Sequence, residues 1–158
     1  MQVYIRGGSR RQKQLVRSMA EFCHQKLMPR MGSVIVNFQL KNFGRDDSLG
    51  YCIPEDNADP HRPREFEIEI HKNQKNRRLL ETVAHEMVHV KQFARGELYE
   101  NSANKHRWQG TWLNKDPEYW DAPWEIEAHG REIGLFVRWA EKHKLGKRQW
   151  TRDPGESQ

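Results

Sequence analysis

Two histidines four residues apart, with a glutamate beside the first, are the side chains here whose types and spacing could do chemistry: His85-Glu86-Met87-Val88-His89. On a helix, an i, i+4 pair stacks on one face, so both imidazoles can grip a single zinc ion. Glu86, one position on, can then reach a water on that metal and serve as general base. A catalytic zinc takes three protein ligands and keeps one position open, so a third donor must come from elsewhere in the chain. Glu125, Glu127 and Glu132, all on a later helical stretch, are the candidates.

Helical phase separates these three. With Trp124 set at 0°, the apolar arc of that stretch runs from about 20° to 220°, and Glu125 falls inside it near 100°. A carboxylate directed into an apolar face is costly unless a cation meets it there. This favours Glu125 as the third ligand, beside His85 and His89. Glu127, near 300°, shares an outer face with Arg138 and Glu141 and reads as a surface i, i+4 partner of Arg131. His129 and Glu132 read either as groups that orient a ligand or as polar residues at a packing edge. A His85, His89, His129 set is the lesser alternative. On the first helix, Leu80, Val83, Met87, Val90 and Ala94 form the apolar arc, which the histidines border. Only Glu81, Lys91 and Gln92 of that helix are expected to face water.

The elements that must position these groups are legible from periodicity and punctuation. Ser9 caps a helix over the following RRQKQLVRSMAEFCHQKLM, which Pro29 ends. Val34 to Leu40 reads as a strand, and a short one is expected at Gly50 to Ile53. Residues 54–64, with three prolines, read as an exposed loop. Clean alternation from Arg64 to Asn73 predicts a strand with Phe66, Ile68 and Ile70 on one face and Glu65, Glu67, Glu69 and His71 on the other. Asn76 opens the HExxH helix, which closes near Gly96. RWQGTWL suits a short hairpin, and Pro123 starts a long helix ending at Gly146. The fold class predicted is α+β: a small sheet packed against the HExxH helix, with N-terminal and long C-terminal helices, as a single domain over 1–146. Residues 147–158 read as a polar, flexible tail.

Composition limits the rest. One core is what 158 residues allow, and with only 35% hydrophobic residues it depends on six Trp, six Phe and four Tyr. Trp108, Trp112, Trp120 and Trp124 lie between the two metal-bearing helices and are expected to pack more than to line a cleft or stack bases. Cys23 and Cys52 are too few for a disulfide framework and read as reduced packing residues. The opening MQVYIRGGSRRQK lacks the apolar stretch of a secretory signal, and no run reaches the roughly 20 apolar residues of a membrane span. A soluble cytoplasmic protein with no membrane partner is expected. The formal charge of +5 permits contact with nucleic acid without implying it.

HEMVH, the ETVAH that leads into it and Glu125-Ile126-Glu127-Ala128 together resemble a minimal gluzincin-type zinc metallopeptidase. The later ExxA element is similar to the third-ligand helix of thermolysin-like and ImmA/IrrE-like enzymes. The order of elements over residues 9–145 resembles the SprT-like proteases and small phage-encoded relatives. The resemblance implies a zincin-like fold and a zinc-dependent endopeptidase acting on protein or peptide substrates, in the host cytoplasm if phage-encoded. It further implies that the strand before the HExxH helix lies at a sheet edge and pairs with an extended substrate. Tyr119, His106 and His129 are the candidate oxyanion donors. Two departures stand out: the SprT zinc ribbon is missing, and His129 replaces the Asp expected four residues after the ligand Glu. The alternatives are a DNA-associated protease of the SprT-like sort and a non-catalytic, zinc-stabilised regulator or virion component.

Overall fold

The computed structural model describes residues 1–55 and 59–152 and has an α+β architecture. Its elements run β1 (Gln2–Gly7), α1 (Arg10–Leu27), β2 (Ile35–Lys41), β3 (Gly50–Pro54), β4 (Glu65–His71) and α2 (Asn76–Ala94). Three short strands follow, β5 (Leu98–Glu100), β6 (His106–Trp108) and β7 (Thr111–Trp112), then α3 (Pro123–Lys142). Single 3-10 turns occupy Tyr119–Asp121 and Gln149–Thr151.

Alternation in β2 and β4 turns Val36, Phe38 and Leu40, and Phe66, Ile68 and Ile70, onto one face. That face is closed by Val16, Met19 and Cys23 of α1 and by Leu79, Val83 and Met87 of α2. At about 25 cal/mol per Å² of apolar area, this layer is the main source of stability. α1 starts with a capping box: Ser9 Oγ accepts from the Gln12 amide at 3.1 Å, and Gln12 Oε1 accepts from the Ser9 amide at 2.9 Å. Gly7 turns the chain from β1 into that helix at φ 73°, where a Cβ would stand 2.1 Å from Leu40 O, so only glycine fits.

The sheet order is β1-β2-β4-β3, with β1, β2 and β4 parallel and β3 antiparallel to β4. This corrects the expectation for the strand preceding α2. β4 is paired on both sides, and β3 forms the edge that runs beside α2. β1 falls within the opening segment where no element was expected. Beyond α2, β5, β6 and β7 form a separate small sheet, and Gln109 and Gly110, both at positive φ, make the tight turn between β6 and β7.

α3 packs chiefly on α2, and the wheel-based assignments of both helices need revision. Glu81, Lys91 and Gln92 are buried, at 4%, 6% and 0% exposure, whereas Ile126, Ile133 and Val137 of the expected apolar arc are exposed. Trp124 is buried and Trp108 half-buried, but Trp112 and Trp120 are exposed. Cys23 and Cys52 are unpaired thiols. At the C-terminus, Trp150 packs beside Phe136 and Trp139, and Thr151 O accepts from the Arg77 guanidinium at 2.9 Å. Residues 149–151 are therefore docked, in contrast to the expected flexible tail; residues 153–158 of that tail lie outside the described residues. So does 56–58 of the expected 54–64 loop. Among the described residues, no helix is long and apolar enough to cross a membrane.

Candidate metal centre

α2 carries the HExxH residues across the middle of the molecule, where β3 flanks one side and α3 the other. The i, i+4 spacing brings His85 Nε2 and His89 Nε2 to 3.1 Å of each other. Glu125, in the first turn of α3, reaches the same point: its Oε2 lies 3.2 Å from His85 Nε2 and its Oε1 3.4 Å from His89 Nε2. The sequence-predicted set of His85, His89 and Glu125 is thus brought together, as one of two groups that could hold a metal ion among the described residues.

Whether these residues suit a zinc ion is a question of donor chemistry. His85 Nδ1 faces Glu132 Oε2 at 2.8 Å, and His89 Nδ1 faces Gln92 Oε1 at 2.8 Å. Both oxygens only accept, so each Nδ1 carries a proton, which leaves each Nε2 as the atom that a metal at the shared point would take. The Gln92 orientation is itself fixed, because its Nε2 donates to Trp124 O and to Glu127 Oε2, both at 2.9 Å. Glu125 Oε2 is buried with no hydrogen-bond partner. Two Nε2 atoms and a carboxylate at this spacing need a positive charge between them, supplied by a proton on an imidazole or by a bound cation. Ligands roughly 2.0–2.1 Å from a tetrahedral zinc are about 3.3 Å apart, which is the spacing found here. The residues fit the ion.

Protein charges alone reveal the same pull toward a cation. Burial pulls the His85 imidazolium down, but Glu125 and Glu132 more than reverse this and hold it at about 9. Burial likewise opposes ionisation of Glu125, yet the two imidazoles overcome it and keep that carboxyl well below its ordinary range. Glu86 shifts the other way: burial pushes its carboxyl up, against the pull of His89 and His85. A carboxyl raised in this way holds a proton more readily than an exposed glutamate does, which suits a group that must both take and return one. β3 passes close to the Glu86 side chain, for a Cβ at Gly50 would stand 2.7 Å from Glu86 Oε1.

The surrounding polar groups resolve several open readings. Glu132, 6% exposed, orients His85 and is itself held by Arg78 Nη1 at 3.1 Å. His129 Nδ1 lies 3.3 Å from the same Glu132 oxygen, and its Nε2 accepts from the Tyr119 hydroxyl at 2.9 Å. His85, His129 and Glu132 form the second group that could hold a metal ion. His106 is at the other end of the cleft with Nδ1 2.9 Å from Asp116. Glu127 keeps its pair with Arg131 at 3.1 Å but also meets Lys91, so it does not sit on an outer face. Gln92 is the site residue that sequence reasoning placed in water. Its spacing of three from His89, on the same helix, was the available signal.

His85, Glu86, His89, Glu125, His129 and Glu132 line a cleft of about 580 Å³ between β3, α2, the β5–β6 hairpin and the start of α3. No protein-family model, curated protein or solved structure matches the chain.

Proposed function

We propose that this protein is a zinc-dependent endopeptidase with a zincin-like fold, in which His85, His89 and Glu125 hold the metal and Glu86 is the general base. The observation that carries this reading is the convergence of the two imidazole Nε2 atoms and the buried, unpartnered Glu125 Oε2 on one point beside an open cleft. When bound, zinc supplies Lewis acidity, acidifying a water toward a pKa of about 7 and polarising the scissile carbonyl. Glu86 takes the proton of the attacking water and passes it to the departing amine. The Tyr119 hydroxyl lines the cleft beside His129, to which it donates at rest, and turning that O–H away from the ring would let it meet a developing oxyanion.

β3 suits the substrate. It is the free edge of the sheet on the cleft side, so an extended peptide can pair with its backbone, and pairing of that kind tolerates many sequences. A purely structural zinc site has no use for Glu86 and would close its fourth position with a protein donor.

The test combines metal analysis with one substitution. Purified protein is expected to bind one zinc per chain and to cleave unfolded protein. Glu86→Gln should retain the zinc and lose activity by about 10²–10⁴-fold. Full activity in that variant, or absence of zinc from the wild type, would overturn the reading.

A second reading, a protease associated with DNA, draws on a different place. A cavity of about 600 Å³ shares no residue with the cleft and is lined by Lys75, Arg77, Arg148, Trp150 and Arg152. Arg11 lies over the same Trp150 ring at 5.9 Å. Basic groups around an aromatic ring are what phosphates and bases require. Salt-dependent DNA affinity that Arg148→Ala and Arg152→Ala reduce would support it, and no affinity at low salt would eliminate it.

A further inference from the structure

The charge of the cleft is opposite in sign to that of the chain. The protein carries a formal charge of +5, yet Arg78 is the one Lys or Arg among the described residues lining the cleft. Its guanidinium is committed to Glu81 at 3.3 Å and Glu132 at 3.1 Å. Outside the metal cluster, the charged lining consists of Asp47 at the β3 end and Glu100 at the β5 end.

The small sheet explains how this segregation arises. β5 and β6 pair with Leu98 opposite Trp108, Tyr99 opposite Arg107 and Glu100 opposite His106. Since successive side chains point to opposite faces, Leu98, Glu100 and His106 turn toward the cleft, while Arg107 turns away with Tyr99. There the Arg107 guanidinium lies over the Tyr99 and Trp112 rings, at 5.1 and 5.7 Å. β6 therefore keeps Arg107 behind the sheet while β5 presents the Glu100 carboxylate in front.

In front of Glu100 the wall is apolar. Phe93, one turn beyond His89 on α2, lines it with Leu98 and Trp124. His106 stacks on the Trp124 ring at 4.7 Å and lies 3.8 Å from Glu100, but its other nitrogen meets Asp116 at 2.9 Å, so two carboxylates face one imidazole. An apolar wall that ends in carboxylates matches a side chain with a methylene stem and a cationic head.

The geometry points to a subsite for a Lys or Arg side chain of the substrate, with its stem against Phe93, Leu98 and Trp124 and its head at Glu100. This rests on the endopeptidase reading, whose general base and metal ligands lie in the same cleft. Glu100 is half exposed, so the attraction is screened and the preference should shrink as salt is raised.

The experiment uses one extended peptide made in three versions, with Lys, Ala or Glu at the positions flanking its centre. Two readouts are taken at low salt: kcat/KM of the zinc-loaded wild type, and affinity of the zinc-loaded Glu86→Gln protein by fluorescence anisotropy. The Lys peptide is expected to exceed the Glu peptide on the order of tenfold in both. Glu100→Gln should weaken that ratio and Glu100→Lys abolish it, each measured against the Ala peptide as the internal reference for folding. Cleavage and binding without charge preference would overturn the subsite and leave the proposed reaction standing. Binding that prefers Lys, with no cleavage by the wild type, would overturn the reaction and leave the subsite. Neither binding nor cleavage would overturn both.

Discussion

Glu125 and Glu127 stand two positions apart on α3 and serve different partners, so their variants should fail differently. Glu125→Ala is expected to abolish stoichiometric zinc binding, because one of three donors is lost. Glu127→Ala should keep the zinc and lose stability, since it removes a carboxylate from buried Lys91 and from Gln92, leaving Lys91 only Glu97 at 2.8 Å. That loss is about 2 kcal/mol by chemical denaturation, the usual scale for a hydrogen bond to a charged group. If Glu127→Ala lost the metal and Glu125→Ala kept it, the ligand assignment would be wrong. Gly50 makes a third contrast. Adding a methyl group there pushes on Glu86 but touches no ligand, so Gly50→Ala should retain zinc while kcat/KM falls on the order of 10²-fold. Zinc loss from that variant would show that the β3 edge supports the metal ligands as well as the base.

The segment around Trp150 shows what decides whether an element forms. KRQWTR is polar by composition, yet one indole wedged near Phe136 and Trp139 and one carbonyl held by Arg77 are enough to dock it. Trp150→Ala is expected to cost about 2 kcal/mol, below the 3–5 kcal/mol of a fully buried Trp because this ring is only partly covered. An unchanged denaturation midpoint would mean the docking contributes nothing. α1, β2, β3, β4, α2 and α3 were legible because their own residues carry a period, a cap or a proline. β1 was not, since QVYIRG buries only Val3 and owes its pairing to β2, a neighbour 33 residues away across α1. The convergence of His85, His89 and Glu125 was legible from spacing and from the cost of a carboxylate on an apolar face. A helical wheel nonetheless describes one element, whereas burial depends on two. Gln92 and Lys91 left water because α3 offered Trp124 O and Glu127, whereas Ile126, Ile133 and Val137 stayed exposed because no element among the described residues packs over that side of α3.

The proposed metal would join elements that are far apart in the chain: α2 supplies two donors and α3 the third, 36 residues beyond His89. Joining them closes a long stretch that holds the β5–β7 sheet and the Tyr119–Asp121 turn, so ordering on one side of the cleft should depend on the ion. Because zinc would bind the folded site and not the unfolded chain, free metal at about 100 times its dissociation constant adds about 2.7 kcal/mol of stability. For a chain of this size, each kcal/mol moves the melting temperature by about 2–4 °C. Removal of zinc by a chelator should therefore lower the melting temperature by about 5–10 °C, with recovery when the metal is restored. Glu86→Gln should show the same shift, since Glu86 is not a ligand, and Glu125→Ala should show none. Because binding to Glu86→Gln needs no turnover, this pattern separates the metal centre from the chemistry proposed for it. A shift that persisted in Glu125→Ala would place the ion on the His85, His129 and Glu132 group, where α3 contributes two donors and α2 one.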